Sequence, residues 1–488
     1  MPRGTTGSTT ANAAIPLSHE PTADSPVAGD VVDHGSGKAC APLSPPWFAP
    51  GLLGLTIAGI ALRIVYAVVW QDGRALSGDP RFYEKVATEI YRGHGYSLPS
   101  LGRGAPVPTA LHPPLFSTVL AFFDALGLRS PDDHRIALAF VASAGIVVMG
   151  FLGRRILGPT IGLTAAGIAA FGPLWIQPSG QILSESIYLV LIPLVLLTAL
   201  RCVDRPSYGR FALVGVTIGL AALTRGEALT LVVLLGIPLA LIASRSWGSR
   251  LRLGVVLLAG FALIVGPWLG RNEVKMGGFT LSTDSGTTLV GAYDNATFSP
   301  DNPLYGSFDG VTQFGAAAVL VKYVPPPDHA KHWTELTLSN ALGHLGTTYA
   351  RQHLSDLPGV MLAREGRLWG VFDSGSELTV DIAADGDGVR SVQIAGQYVN
   401  WVLLPLAVGG GVVLFRRKRR DLVIVVAPIV ATGISAALTF GSTRYRALAE
   451  PSLALLAAVG AVVLIQGLLK TRRRRVTIPD ADPAQVGP

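Results

Sequence analysis

Apolar residues along this chain fall in blocks, each about as long as a bilayer requires, roughly 20 residues. The blocks predict helical spans at residues 47–70, 136–153, 160–176, 186–200, 211–223, 228–243, 253–269, 399–415, 422–440 and 448–469. Residues 1–46 are rich in Pro, Gly, Ser, Thr and Ala without apolar period, which predicts a disordered tail. They lack the early apolar core of a signal peptide. The predicted fold is an all-α polytopic membrane protein.

Basic residues near span ends give the orientation, because cytoplasmic loops carry the excess of Lys and Arg. The clusters are Arg154 with Arg155; Arg201, Arg205 and Arg210; Arg245, Arg250 and Arg252; residues 416–420; and residues 472–475. With ten spans and a cytoplasmic N-terminus, all five clusters face the cytoplasm, and so do both termini. Residues 47–270 then form the first seven spans, with an extracytoplasmic loop at 71–135. Residues 271–398 form an extracytoplasmic loop domain, 399–470 the last three spans, and 471–488 a basic cytoplasmic tail. Segment 112–127 competes for span status. It is short, opens with Pro113 and Pro114 and carries Asp124, and counting it would move Arg154 and Arg155 outside. It reads instead as an amphipathic helix in the outer interface. The second loop opens with a polar, turn-rich stretch, 280–303, followed by a helix at 333–354 and, after Pro358, a second amphipathic stretch at 360–372.

Composition agrees with this pattern. Charged residues are 15% of the chain, against about 25% in soluble domains. The net charge of +7 sits at the ends of apolar blocks, with no basic stripe interleaved with aromatics, so nucleic acid is not an expected partner. The two cysteines, Cys40 and Cys202, both fall on the predicted cytoplasmic side, which argues against a disulfide framework or structural zinc.

Candidate chemistry lies on the outer face. Asp79, followed by Pro80, fits a helix N-cap and first turn. Just beyond the first span, its carboxylate can also serve as a general base. His112 sits in a rigid Pro-rich turn within reach of a substrate phosphate or hydroxyl. Ser184 and Glu185 open the fourth span as good helix-start residues, and Glu185 is a second acid on that face. Arg225 and Glu227 lie in a turn within a long apolar run, 211–244. The first half of that run is about 13 residues, roughly 20 Å at helical rise, so the turn lies at membrane depth. An arginine there costs about 2.5–3.5 kcal/mol on insertion scales and marks a site or pathway; an Arg225–Glu227 pair with snorkelling is the bland reading. Arg63 lies inside the first span, and Arg444 and Arg446 at the outer end of the ninth. With Arg225, and Arg271 beside Asn272, they predict a basic pocket suited to a lipid phosphate.

The layout resembles the GT-C superfamily of polyprenyl-phosphate-dependent glycosyltransferases. More narrowly, it resembles glycosyltransferase family 39, which includes protein O-mannosyltransferases and lipid A aminoarabinose transferases. The resemblance rests on Gly78-Asp79, the Pro-Pro interfacial helix, Ser184-Glu185 and the Thr224-Arg225-Gly226 turn. It also rests on Trp268 through Arg271-Asn272, residues 281–286 and Arg444-Tyr445-Arg446, and it covers about residues 50–470. It implies transfer of a sugar from a polyprenyl-phosphate donor on the extracytoplasmic side of the plasma membrane, by inverting single displacement. Asp79 would be the base, and Arg225, Arg444 and Arg446 would stabilise the departing phosphate. Glu185 and Glu227 would hold sugar hydroxyls or orient the arginines. Several family members carry adjacent acids or D-x-D where this chain has Asp79-Pro80, so no cofactor is expected, though a divalent metal is left open. The protein O-mannosyltransferases' extra lumenal domain is not recognisable, so the acceptor (glycan, lipid or protein) stays open.

Two rivals remain. A transporter or flippase for a lipid-linked sugar needs the same pocket but no general base, and often shows internal repeats, which are not evident here. A membrane scaffold binding a wall polymer leaves Arg225 at depth unexplained.

Overall fold

The computed structural model describes residues 45–100, 104–310, 334–376 and 389–476. The N-terminal segment expected to be disordered lies almost wholly outside these residues, as do Cys40 and most of the basic C-terminal tail.

All ten segments expected to cross a membrane are helical. α1 (Phe48–Val65) continues through a wider turn, Tyr66–Trp70. After a loop region come α4 (Pro131–Leu157), α5 (Pro159–Phe171) with α6 (Pro173–Gly180), and α7 (Glu185–Asp204). Then follow α8 (Tyr208–Ala222), the short α9 (Leu231–Leu234) with α10 (Gly236–Ala243), and α11 (Trp247–Met276). The last three are α16 (Arg390–Arg416), α17 (Asp421–Leu438) and α18 (Glu450–Val476). Among the described residues, eight helices are long and apolar enough to cross a membrane; the pair α5–α6, bent by 45°, brings the number to nine. The remaining expected span, α8, is apolar but only 15 residues long.

The loop regions gather at one end of the bundle. The first carries α2 (Gly78–Tyr91), a two-residue hairpin of β1 (Ser97–Leu98) and β2 (Val107–Pro108), and α3 (Leu115–Ala125). At 11 residues α3 is too short to span. It packs Phe116, Leu120 and Phe123 inward against α2 and α4 and leaves Phe122 exposed, as an interfacial helix does. The second loop region is more helical than the turn-rich reading of 280–303 anticipated. α12 (Asp284–Ala292) and α13 (Asn295–Phe298) occupy it, the latter held by a capping box between Asp294 and Thr297. α14 (Glu335–Gln352) and α15 (Leu357–Leu368) follow, with Pro358 in the first turn of α15, where its missing N–H costs nothing.

α7 is the axis of the bundle. Its apolar window is 72% buried, against 22% for α16, so α16 turns most of its surface to lipid. The helices around α7 approach closely where they cross. A Cβ on Gly410 of α16 would lie 1.9 Å from the Leu456 carbonyl of α18, and one on Gly460 would lie 2.1 Å from that of Leu406. Only glycine permits such backbone contact. Because α7 begins at the loop end, its first residue, Glu185, lies buried at the centre of that end.

Candidate active site

Three carboxylates and two guanidiniums form one alternating chain at this end of the bundle. Asp79 Oδ2 accepts from Arg444 Nη2 at 2.8 Å. Arg444 Nε reaches across to Glu185 Oε1, and Arg225 Nη1 reaches the same carboxylate oxygen at 2.5 Å. Arg225 then grips Glu227 with two parallel bonds, Nη2 to Oε1 at 2.7 Å and Nε to Oε2 at 3.0 Å. Such forked contacts are the strong, directional form of the interaction. The Tyr445 ring lies under the Arg225 guanidinium, 5.1 Å from its centroid.

The five groups arrive on four elements. Ser77 stands at the N-cap of α2 in extended conformation with no side-chain bond, and Asp79 follows in the first turn. The capping reading of Asp79 does not hold: its carboxylate turns away from the helix N–H groups toward Arg444 and His112. At α7, Ser184 stands at the N-cap and Glu185 in the first turn, as expected of a helix start, but Ser184 makes no cap bond and donates to Glu185 Oε2 at 3.3 Å. Tyr83 Oη supports Ser184 at 3.4 Å. Arg225 stands between α8 and a 3-10 turn, Gly226–Thr230. Arg444 stands in a 3-10 turn, Thr443–Leu448, whose start is capped by Ser442.

His112 Nε2 lies 3.2 Å from Asp79 Oδ1, and its ring packs against Phe82 and Tyr83. The segment carrying it is stitched to the second loop region. Thr283 N donates to the Ala110 carbonyl at 2.8 Å, Ser282 Oγ to that of Leu111, and Glu335 accepts from Ala110 N at 3.1 Å. Burial pushes the His112 imidazole toward its neutral form, but the facing Asp79 carboxylate outweighs it and holds its pKa above the ordinary value. For Asp79, burial favours the neutral acid, yet Arg444 and His112 together hold it below the usual carboxylate range. The Asp79 side chain keeps 31% of its surface exposed, so a substrate can reach it.

The expected basic pocket is corrected in two respects. First, its members divide. Arg225 and Arg444 belong to the network and Arg446 stands beside it, buried and paired with Glu450 at 3.0 Å. Arg63 and Arg271 are elsewhere. Arg63 is fully buried, and its guanidinium donates to the Trp175 and Ala169 carbonyls at 2.9 and 3.0 Å, where the α5–α6 bend frees main-chain acceptors. Arg271 reaches from α11 to the Tyr96 and Thr109 carbonyls at 2.6 and 2.7 Å and clamps the β1–β2 hairpin. Second, the site is not a pool of unpaired cations: each guanidinium in it already meets a carboxylate.

A cavity of ≈ 260 Å³ opens on the other side of Arg444 and Glu185, between α6 and α16. Leu174, Pro178 and Ile394 form apolar wall, and Tyr398 and Trp401 stand beside the opening. Gln177, Gln181 and Gln393, which reach into this cavity, escaped the sequence reading. The available signal was glutamine at four-residue spacing, 177 with 181 and 393 with 397, on segments otherwise built for lipid. Among the described residues, no group of three or more His, Cys, Asp or Glu side chains is arranged to hold a metal ion.

Residues 111–269, about a third of the chain, match the family described as dolichyl-phosphate-mannose-protein mannosyltransferase. No curated protein sequence matches. Among solved structures, the chain is similar to the archaeal oligosaccharyltransferase AglB from Archaeoglobus fulgidus in complex with an inhibitory peptide and a dolichol-phosphate. That likeness has a TM-score of 0.51 at 14% identity and covers 90% of this chain and 52% of that one. The oligosaccharyltransferase of the same organism in complex with Zn and sulfate gives 0.51 at 13% identity, over 88% and 51%. ArnT from Cupriavidus metallidurans bound to undecaprenyl phosphate gives 0.38 at 17% identity, over 87% and 80%. The chain thus spans about half the length of the oligosaccharyltransferases it matches. The fold is that of the GT-C membrane glycosyltransferases.

Proposed function

From a multi-pass chain of GT-C fold, we propose a glycosyltransferase that moves a sugar from a polyprenyl-phosphate donor to an acceptor hydroxyl. The AglB relative was captured with a dolichol-phosphate, which supports a lipid phosphate as the donor's anchor. The carrying observation is the Asp79–Arg444–Glu185 chain: a reachable carboxylate held by a guanidinium that also borders an apolar-walled cavity.

The chemistry follows from that placement. The donor phosphate competes with Asp79 and Glu185 for Arg444. As Arg444 turns to the phosphate, Asp79 loses the cation that suppressed its basicity and takes the proton of the acceptor hydroxyl. The acceptor oxygen attacks the anomeric carbon, and the bond from that carbon to the phosphate oxygen breaks, with inversion. The electron pair leaves on the phosphate, whose charge Arg444 stabilises in a water-poor setting. Arg225 and Glu227 hold Glu185 in place. His112 orients Asp79 through Oδ1 and leaves Oδ2 for the proton.

The test compares wild type with Asp79→Asn on radiolabelled polyprenyl-phosphate sugars and an acceptor extract. Acceptor-dependent release of free polyprenyl phosphate in wild type is expected, falling by about 10²- to 10⁴-fold in Asp79→Asn, with donor binding retained. Near-normal turnover in the variant removes Asp79 from the reaction.

One observation favours a second reading, a transporter or flippase for a lipid-linked sugar. The 45° break between α5 and α6 borders the cavity, and discontinuous helices surround the binding sites of many transporters. Tight donor binding without release of polyprenyl phosphate, in wild type and variant alike, selects it.

A further inference from the structure

A buried ionisable cluster lies outside the site, where α2, α3 and α4 meet. His134, at the start of α4, has no exposed surface. Its Nδ1 lies 2.8 Å from Glu84 Oε1 on α2, and its Nε2 lies 3.5 Å from Asp124 Oδ1 on α3. Phe123, beside Asp124, packs on the imidazole with ring centroids 5.9 Å apart. Asp124 is 5% exposed, and its Oδ2 is buried without a hydrogen-bond partner. Two further charged side chains stand close by. Arg129 donates to the Asp124 carbonyl at 3.4 Å, and Asp133 is engaged by the Ser130 cap.

The number of protons decides how this junction holds. A neutral imidazole has one N–H. Given to Glu84, it leaves a bare nitrogen facing a carboxylate where water does not reach. A second proton removes the conflict, whether it rests on Nε2 or on Asp124, because either way one atom donates and the other accepts. Burial raises the Asp124 carboxyl above the ordinary carboxylate range, which favours sharing of that proton. Without it, Glu84 and Asp124 are two shielded acids with no cation between them.

The cluster reaches the site through the helices that it joins. Asp79 lies in the first turn of α2, ahead of Glu84, and His112 lies just before α3, ahead of Asp124. Asp79 and His112 meet at 3.2 Å. One side chain of α4 therefore ties down both helices whose leading ends form that contact. The start of α4 is itself pinned independently of pH, since Arg135 Nε donates to the Gly180 carbonyl at 3.0 Å and a guanidinium keeps its charge.

We propose that His134 is a positioning residue: the proton it shares with Asp124 locks α2 and α3 onto α4 and so fixes the Asp79–His112 contact. The lock is closed at acid pH and loosens as pH rises, because the bound proton completes it. The part of Asp79 in a reaction rests on the transferase reading; the lock itself does not.

The experiment follows hydrogen exchange of α2 and α3 in the full chain in lipid nanodiscs, without substrate, from about pH 5 to pH 9, the range around imidazole titration. Protection factors remove the effect of pH on the intrinsic rate, and α7 is the internal reference for the fold. The proteins are wild type, Asp124→Asn and His134→Gln, all of which keep His112. In wild type, protection of α2 and α3 should fall about tenfold toward alkaline pH, the loss of one hydrogen bond to a charged group. Asp124→Asn, whose amide donates to a neutral Nε2, should stay protected at the alkaline end. His134→Gln, which takes up no proton, should be as poorly protected at the acid end as wild type is at the alkaline end. Acceptor-dependent release of polyprenyl phosphate should fall less steeply with rising pH in Asp124→Asn than in wild type. A histidine that only fills space gives a pH-independent loss in His134→Gln and leaves the curve of Asp124→Asn unchanged. That result, or wild-type protection that does not vary with pH, overturns the proposal. The expected exchange pattern with a wild-type activity profile in Asp124→Asn removes the positioning role. The expected exchange pattern with no release in any of the three proteins removes the transferase reading and leaves the lock standing.

Discussion

At the scale of single residues, the site is governed by competition for Arg444. In the structure it is shared between Asp79 and Glu185, and Asp79 is a poor base while that lasts. In the proposed reaction a donor phosphate draws the guanidinium away and so raises the basicity of Asp79. Lysine cannot serve two carboxylates in this way, since it lacks the planar fork. His112 supplies a second, titratable hold on Asp79. Its pKa is raised in the fold, so its contribution to stability is complete below the ordinary histidine value of about 6.5 and is lost as pH rises through the raised value. Asp79 has the opposite sign: its pKa is lowered, so its contribution is present above about 3.9 and disappears only as pH falls further. Between pH 6 and 9 the His112–Asp79 pair therefore gives a slope that belongs to His112. The thermal midpoint of wild type should exceed that of His112→Gln most at the acid end of this window, and the two should converge toward the alkaline end. A gap independent of pH would mean that His112 acts only through packing on Phe82 and Tyr83.

At the scale of helices, what was legible in the sequence followed a simple physical division. Apolar block length located the spans, because lipid imposes it. A charge placed where lipid penalises it located Arg225, while Glu185 stood out as an acid opening a span on the outer face and Arg444 as an arginine at the outer end of one. The same argument misplaced Arg63. An intramembrane arginine announces that it has a partner, but its position along the sequence does not say whether that partner is a carboxylate or a main-chain carbonyl. The α5–α6 bend at Gly172 decides it, and a bend is a tertiary fact. The glutamines were missed for the converse reason. A neutral amide carries a small insertion penalty, and only the tertiary structure places it in the wall of the cavity between α6 and α16. Arg63 now has a definite role: it donates to the carbonyls of Ala169 and Trp175, on either side of the α5–α6 bend, and so ties the two helices at that angle. Arg63→Met leaves those oxygens unpaired, at about 1–3 kcal/mol each, part of which is offset by no longer burying a cation. A lower thermal midpoint is expected, read by melting. An unchanged midpoint would mean that the bend holds without Arg63.

At the scale of the whole molecule, the two ends of the bundle differ in what their charges do. At the loop end, Arg225, Arg444 and Arg446 are paired with buried acids, and Arg271 and Arg364 with main-chain carbonyls. At the other end, arginines crowd the span termini, and Arg155 joins Asp204 and, at 3.4 Å, Asp421, tying α4, α7 and α17 together. The positive-inside bias acts on basic residues in short loops close to the span ends. By that criterion we predict that the end with Arg201, Arg205, Arg245 and residues 416–420 faces the cytoplasm and that the site with its loop regions faces outward. The prediction is tested with single cysteines on a background lacking Cys40 and Cys202. Arg92→Cys, at an exposed position at the end of α2, should react with a membrane-impermeant maleimide in intact cells. Arg245→Cys, exposed beyond α10, should react only after permeabilisation. The reverse pattern would put the site on the cytoplasmic face and require an acceptor there. Labelling of both positions in intact cells would mean that the chain does not alternate as its helices do, and the count of spans would have to change with it.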